Sequence, residues 1–122
     1  MYKIVYYEND HGDVPVSDFL DKQNSKVQTK IIKHVSLLAK EGRNLRRPYA
    51  DYLRDGMYEL RVKFSPNEYR MLYFFFQRTD IVITHGFVKK TDQVPESEVL
   101  KALKYKLDYE RRNKNEQRLL QK

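Results

Sequence analysis

Between Met57 and Lys89 the sequence contains three consecutive strand-like runs that are joined by short turns. Residues 57–64 alternate between apolar and charged side chains, residues 68–77 are nearly all aromatic or aliphatic after Arg70, and residues 81–89 are rich in β-branched side chains. Alternation is typical of a strand with one buried face, and a continuous apolar run is typical of a central strand. Because residues with turn chemistry separate the runs, the pattern predicts a three-stranded antiparallel meander.

Helical patterns and one further strand surround this meander. Residues 3–7 (KIVYY) predict a strand, and Pro15 suits the first turn of a helix. A second helix is predicted over residues 25–40, because apolar residues recur there at helical spacing, and Gly42 stands where a C-cap is expected. Pro95 begins a last helix, with acidic residues in its first turn.

The predicted order of elements is therefore β-α-α-β-β-β-α, within one domain that spans residues 1–122. The fold class is α+β, with a mostly antiparallel sheet packed against the two N-terminal helices. Residues 43–55 are interpreted as a polar connector, and residues 110–122 as a solvated helix extension or a frayed tail.

Composition restricts the possible partners and excludes several kinds of site. The net charge is +7, which is typical of proteins that bind nucleic acid, ribosomes or an acidic protein. Cysteine is absent, so disulfides and thiolate zinc sites are excluded, and no histidine motif for a metal occurs. No apolar run approaches the ~20 residues that cross a bilayer, and no signal peptide is visible after Met1, so we expect a cytoplasmic protein without membrane association.

Cations inside the predicted strands are the first candidates for a functional site. Arg61 and Lys63 lie on the polar face of the first strand of the meander, where they line either a polyanion site or a solvated surface. Arg70 lies in a strand that is too apolar to be an open face, so it either binds a ligand or pairs with Glu59 or Asp51. His85 is mid-strand, and two interpretations are open: a hydrogen-bonded core residue or a proton donor.

These residues occur within a longer pattern. Residues 46–64 (RRPYADYLRDGMYELRVKF), 68–76 (EYRMLYFFF) and 81–99 (IVITHGFVKKTDQVPESEV), which lead into the last helix, together resemble the RelE/ParE superfamily of toxins from type II toxin–antitoxin systems. The chain looks most like the HigB-like branch, which includes phage-derived members. The N-terminal β-α-α pattern is similar to the same plan.

The resemblance implies a ribosome-dependent endoribonuclease that cleaves mRNA in the A site without a metal or cofactor, and that a HigA-like helix-turn-helix antitoxin neutralises. It implies catalytic roles for Arg61, Lys63, Arg70 and Lys90. RNA contacts are expected from Arg43, Arg46, Arg47 and Lys89.

Two arginines would hold the scissile phosphate, because their planar groups bind its oxygens bidentately, while Lys63 or Lys90 moves protons. On this interpretation, Arg70→Ala lowers cleavage at least tenfold in a protein that stays folded. Two other functions stay open: a non-catalytic ParE-like gyrase poison, and an inactive co-repressor that only binds its antitoxin.

Overall fold

The structure, a computed structural model, describes the backbone of residues 1–120 and the side chains of residues 1–114. Its elements are β1 (Lys3–Tyr6), α1 (Pro15–Asp21), α2 (Ser25–Glu41), β2 (Ala50–Arg54), β3 (Met57–Phe64), β4 (Asn67–Phe76), β5 (Asp80–Lys89) and α3 (Glu96–Leu120). The five strands form one sheet in the order β1-β5-β4-β3-β2, in which only β1 and β5 run parallel. The predicted α+β class and the mostly antiparallel sheet are confirmed. No described helix is both long and apolar enough to cross a membrane.

The sheet has one strand more than the sequence analysis predicted. Ala50–Arg54, assigned there to a polar connector, forms the edge strand β2 and pairs antiparallel with β3. Asp55 and Gly56 join the two strands, with positive φ angles of 52° and 78°. A two-residue turn of this kind matches the twist of a hairpin and favours an Asp-Gly pair. The hydroxyl of Tyr52 accepts the N–H of Gly56 at 3.0 Å, which fixes the turn.

Local interactions fix both ends of α2. The side chain of Asn24 caps α2 by accepting the backbone N–H of Val27 at 3.0 Å. Gly42 ends the helix with a φ of 54°, in the left-handed region that favours glycine. A β-carbon at Gly42 would also lie only 1.9 Å from the ring of Tyr2. Any larger residue there would require the ring of Tyr2 to move.

The helices cover both faces of the sheet. The face under α1 and α2 buries, among others, Val16, Phe19, Val27, Ile31, Leu38, Leu60, Val62, Met71, Tyr73, Ile81 and Ile83. The opposite face packs against α3 through Tyr7, Met57, Leu72, Phe74, Val82 and Ala102. The predicted packing of the two N-terminal helices on one face is confirmed. Since side chains alternate along a strand, the charged residues of β3 lie on the side of α3.

The C-terminal half of α3 is attached to the end of β1. The hydroxyl of Tyr7 donates to Asp108 at 2.7 Å, and Asp108 also accepts from Arg111 and Arg112 at 2.7 Å each. Arg112 in addition donates to the backbone carbonyl of Glu8 at 2.5 Å. The segment interpreted as a solvated helix extension or a frayed tail thus continues α3 to Leu120, and Arg112 binds it to the chain just after β1. Residues 121–122 of that segment lie outside the described residues.

Tyr7→Phe is expected to lower the free energy of unfolding by about 1–2 kcal/mol, because a buried hydroxyl loses a charged acceptor. Burial, with the Asp108 bond and charge, raises the pKa of Tyr7 to about 12. The hydroxyl of Tyr7 therefore keeps its proton to higher pH in the folded state than in the unfolded state. The stability that the protonated Tyr7 contributes is complete below about pH 10 and is lost as the pH rises toward 12. Urea titrations at pH 7 and pH 11 measure both effects.

Tyr105→Phe is the matched control, since this ring stacks on Tyr7 at 4.5 Å but its hydroxyl has no hydrogen-bond partner among residues 1–114. Equal stability of the two variants at pH 7 would contradict the prediction.

Candidate active site

A cleft of about 410 Å³ opens beside β2 and β3, below the start of α3. The segment after β5 closes its far side. Four basic side chains line it, namely Arg47, Arg54, Arg61 and Lys89, and so do four acidic ones, namely Asp51, Glu59, Asp92 and Glu96. The cleft therefore has cations for binding an anionic ligand, but they are balanced by carboxylates in the free protein.

At the centre of the charged surface, two arginines face each other across neighbouring strands. Arg61 of β3 pairs in register with Arg70 of β4, an arrangement that is repulsive unless an anion lies between the two. Glu59 supplies that anion: its Oε1 lies 3.6 Å from Nη1 of Arg61 and 3.4 Å from Nε of Arg70. Glu59 is buried, so this carboxylate is held by the two arginines rather than by water.

Arg70 is buried beneath this surface, with its side chain only 1% exposed. Its Nη2 donates to Glu68 at 3.0 Å and its Nη1 donates to the backbone carbonyl of Tyr69 at 3.1 Å. Its Nε is buried without a hydrogen bond and faces Glu59. Arg70 would thus influence a ligand in the cleft only indirectly, through its contact with Glu59 and the contact of Glu59 with Arg61. The sequence analysis left open whether Arg70 binds a ligand or pairs with Glu59 or Asp51. The structure shows the pair with Glu59.

Of the other three cations with predicted catalytic roles, Arg61 lines the cleft, whereas Lys63 and Lys90 do not. Arg61, with a side chain 25% exposed, reaches the cleft directly. Lys63 and Lys90 are exposed, Lys63 at the end of β3 and Lys90 just after β5. Glu68 lies opposite both Lys63 and Lys89 in the strand register. The hydrogen bond from Arg70, with the charges of these two lysines, holds the pKa of Glu68 below its usual range.

Ion pairs on β2 form the outer wall. Arg47 contacts Asp51 at 2.8 Å, and its hydrogen bond lowers the pKa of that carboxyl. Arg54 bridges Asp55 and Glu96, which connects the hairpin to the first turn of α3. Exposed pairs of this kind contribute about 0–1 kcal/mol each. A phosphate entering the cleft could therefore displace these carboxylates from the arginines at little cost.

The four arginines and lysines predicted to bind RNA are not all in one place. Arg47 and Lys89 line the cleft. Arg43 lies on the other side of the sheet, where its guanidinium is 4.1 Å from the centre of the Phe75 ring. Arg46 is exposed in the segment before β2. The sequence analysis named Glu59 only as a possible partner of Arg70 and not as part of the site, although Glu59 shares the polar face of β3 with Arg61 and Lys63.

His85 is 4% exposed and belongs to the packing between β5 and α3. Its Nε2 lies 3.2 Å from Glu98 and its Nδ1 lies 3.1 Å from the hydroxyl of Thr84. A carboxylate oxygen only accepts, so Nε2–H of His85 donates to Glu98, whereas the hydroxyl of Thr84 donates to the backbone carbonyl of Leu72 at 3.1 Å. The ring lines a separate cavity of about 330 Å³ and not the cleft. Within the described residues, no group of three or more histidines and carboxylates could hold a metal ion.

Burial lowers the pKa of His85, and it also lowers that of His34 on α2. The unfolded state therefore binds these protons more readily than the folded state. The stability that both neutral rings contribute is present above about pH 6.5 and is lost as the pH falls below it. We expect the melting temperature to drop between pH 7.5 and pH 5.5. In the double variant His34→Gln/His85→Gln that drop should shrink by at least half, and an unchanged drop would refute the assignment.

Comparison with known proteins gives one finding. A family model described as phage-derived protein Gp49-like (DUF891) matches residues 18–106, which is more than half of the chain. The matched segment begins in α1 and ends within α3, so it contains every charged residue of the cleft. No curated protein matches the sequence.

Proposed function

The chain belongs to the Gp49-like family of phage-derived proteins, within the RelE/ParE-like toxin superfamily, and on this premise we propose that it is a ribosome-dependent endoribonuclease. Members of the family are generally toxin-like proteins of toxin–antitoxin systems, so an antitoxin is the partner to expect. In this proposal the protein is HigB-like, acts in the cytoplasm on mRNA in the ribosomal A site, and is neutralised by a HigA-like helix-turn-helix antitoxin.

One observation carries the proposal: a cleft-facing arginine, Arg61, is held in place from behind by the buried pair of Glu59 and Arg70. A guanidinium fixed in this way is already oriented toward a phosphate before the ligand arrives. Preorganised charge of this kind is the largest single contribution to the stabilisation of many transition states. Arg47 and Lys89 on the walls suit the neighbouring phosphates of a single strand.

The proposed reaction is an internal transesterification. The 2′-oxygen loses its proton to a base and attacks the adjacent phosphorus, and the bond to the 5′-oxygen breaks. That oxygen takes up a proton, which leaves a 2′,3′-cyclic phosphate and a 5′-hydroxyl end. Arg61 would stabilise the charge on the phosphorane oxygens, and Arg70 would position Glu59 and Arg61 without touching the substrate.

Lys63, Lys90 and Glu59 are the three candidates for the base. The lysines are exposed and would need to close over the bound strand. Glu59 already lines the cleft and could accept the 2′-proton there.

The test is to incubate the purified protein with programmed ribosomes and a defined mRNA and to map new 5′ ends by primer extension. Cuts within codons that require ribosomes support the proposal. Cuts on free mRNA alone would contradict ribosome dependence. Absence of cuts together with inhibited supercoiling by gyrase would identify a ParE-like poison, and absence of both effects with tight antitoxin binding would identify a co-repressor.

A further inference from the structure

The outward side of α3 carries exposed side chains at regular spacing. Val99 and Ala102 of this helix are buried, whereas the exposed positions recur three and four residues apart. At 100° per residue these positions fall within an arc of about 100° and extend over about 26 Å. The exposed row, as we call it, consists of Ser97, Leu100, Lys104, Leu107, Arg111 and Lys114. Its spacing is the a/d pattern of a helix that packs against a second helix.

Two leucines form the apolar part of the exposed row. Leu100 is 55% exposed and Leu107 is 69% exposed, more than any other large apolar side chain of residues 1–114 except Met1. They lie two turns apart on the same side of α3, so one partner helix can contact both. Covering them with apolar groups removes their surface from water, which a phosphate backbone cannot do. The leucines therefore favour a protein ligand over a nucleic acid.

Cations surround the two leucines. Lys101 and Arg111 each lie near one carboxylate of α3, at 3.7 Å and 2.7 Å respectively. Lys104 and Lys114 have no carboxylate within ion-pair distance among residues 1–114. The exposed row itself contains no acidic residue, so a second copy of α3 packed on it would bring like charges together. The complementary partner is an acidic helix.

We propose that the exposed row is the docking surface for an acidic amphipathic helix of the antitoxin. This inference rests on the antitoxin partner of the proposed function, and it adds the surface and the kind of element that binds there. The apolar side of the partner helix would cover Leu100 and Leu107, and its carboxylates would pair with the cations around them. Because Val99, next to Leu100 in the chain, lines the cleft, the docked helix would lie beside the cleft opening.

The first test replaces the two leucines and measures the affinity for the purified antitoxin by calorimetry. Leu100→Gln/Leu107→Gln should bind the antitoxin at least about tenfold more weakly than the wild type, because two central apolar contacts are lost. The control Ile32→Gln/Tyr49→Gln removes two side chains that are 51% and 43% exposed outside α3 and should bind normally. Melting curves verify that both variants are folded. Equal affinities of the variant and its control would overturn the inference.

The second test reverses charge and measures the association rate with the antitoxin. Lys104→Glu/Lys114→Glu should associate at least about threefold more slowly than its control at about 50 mM salt, and the difference should shrink at about 500 mM. The control Lys3→Glu/Lys40→Glu makes the same change in net charge at exposed positions outside the row. Equal rates of the two variants would show that the row does not steer an acidic partner, which would overturn the proposed chemistry.

A third test locates the partner directly. The chain contains no cysteine, so a single introduced thiol can carry a solvent-sensitive dye. The dye in Leu107→Cys should shift its emission to shorter wavelength when the antitoxin binds, and the dye in Ile32→Cys should not. A shift in Ile32→Cys alone would place the antitoxin on another surface and overturn the inference. A shift of the Leu107→Cys dye with phosphatidylglycerol vesicles, but not with the antitoxin, would assign the row to an anionic membrane instead.

These results are separable from the cleavage test, because the three assays measure binding alone. A protein that cuts no mRNA but binds the antitoxin through the exposed row would retain the surface and reject the nuclease. A nuclease whose row variants bind the antitoxin as their controls do would retain the nuclease and reject the surface. A wild-type protein that does not bind the antitoxin would overturn the inference as well.

Discussion

Arg61→Ala is expected to lower the rate of mRNA cleavage on ribosomes by at least about 100-fold in a protein that stays folded. Removing one preorganised donor from a charge-stabilising site typically costs a factor of 10² to 10³. Stability should change little, because the Arg61 side chain is a quarter exposed and the buried Glu59 keeps Arg70 as its partner. Single-turnover cleavage rates, measured beside a melting curve, check both parts.

Two companion variants make this result specific to the site. Arg61→Lys keeps the charge but loses the planar fork, so an intermediate rate is expected. Arg78→Ala removes the same charge from an exposed turn far along β5 from the cleft and should cleave normally. A wild-type rate for Arg61→Ala, or an equal loss in Arg78→Ala, would show that net charge and not the placed guanidinium supports cleavage.

Arg70→Ala is expected to lower the free energy of unfolding by about 3–5 kcal/mol. Breaking a buried ion pair by removing one partner leaves the other charge without compensation. Here Glu59, which is 5% exposed, loses its buried partner and keeps only the partly exposed Arg61 at 3.6 Å, and Glu68 also loses a hydrogen bond. Urea denaturation of purified protein measures the change. The burial of Arg70 thus revises the sequence-based expectation that this variant stays folded while losing activity.

A double-mutant cycle with Glu59→Gln tests the cause. If the loss of the buried partner of Glu59 is responsible, Arg70→Ala should cost at least about 1 kcal/mol less in the Glu59→Gln background. Strictly additive effects would mean that the loss comes from the cavity left by the side chain. In both backgrounds the backbone carbonyl of Tyr69 would also lose the hydrogen bond that it accepts from Arg70.

Elements with strong local patterns were predictable from the sequence. The alternation in β3 and the apolar run in β4 reflect which faces of these strands are buried. The bounds of β3, residues 57–64, were predicted as observed. The edge strand β2 was not, since it is short and polar and gains its structure by pairing with β3. The Asp55-Gly56 turn was a local signal for that pairing and was not used.

The sequence predicted that cations of β3 and β4 belong to the site, but not how these cations are arranged. Cations within apolar strands marked β3 and β4 as unusual, which led to Arg61 and Arg70. Their direct opposition depends on the register across the turn at residues 65–66, and a shift by one residue would place them on opposite faces. Burial of Arg70 depends further on α3, which covers that face from a distant part of the chain. Neither fact is encoded in a local pattern.

The parallel pairing of β1 with β5 has a consequence for the timing of synthesis. Lys3 finds its partner Asp80 only after 77 further residues have been added, so the first strand made is the last to gain a neighbour. The cleft waits longer still, because Glu96 and Val99 form part of its wall. Contacts between such distant positions also form slowly. A nascent chain therefore has no complete cleft until Val99 has been added, so under the proposed function it could not cleave its own message before that point.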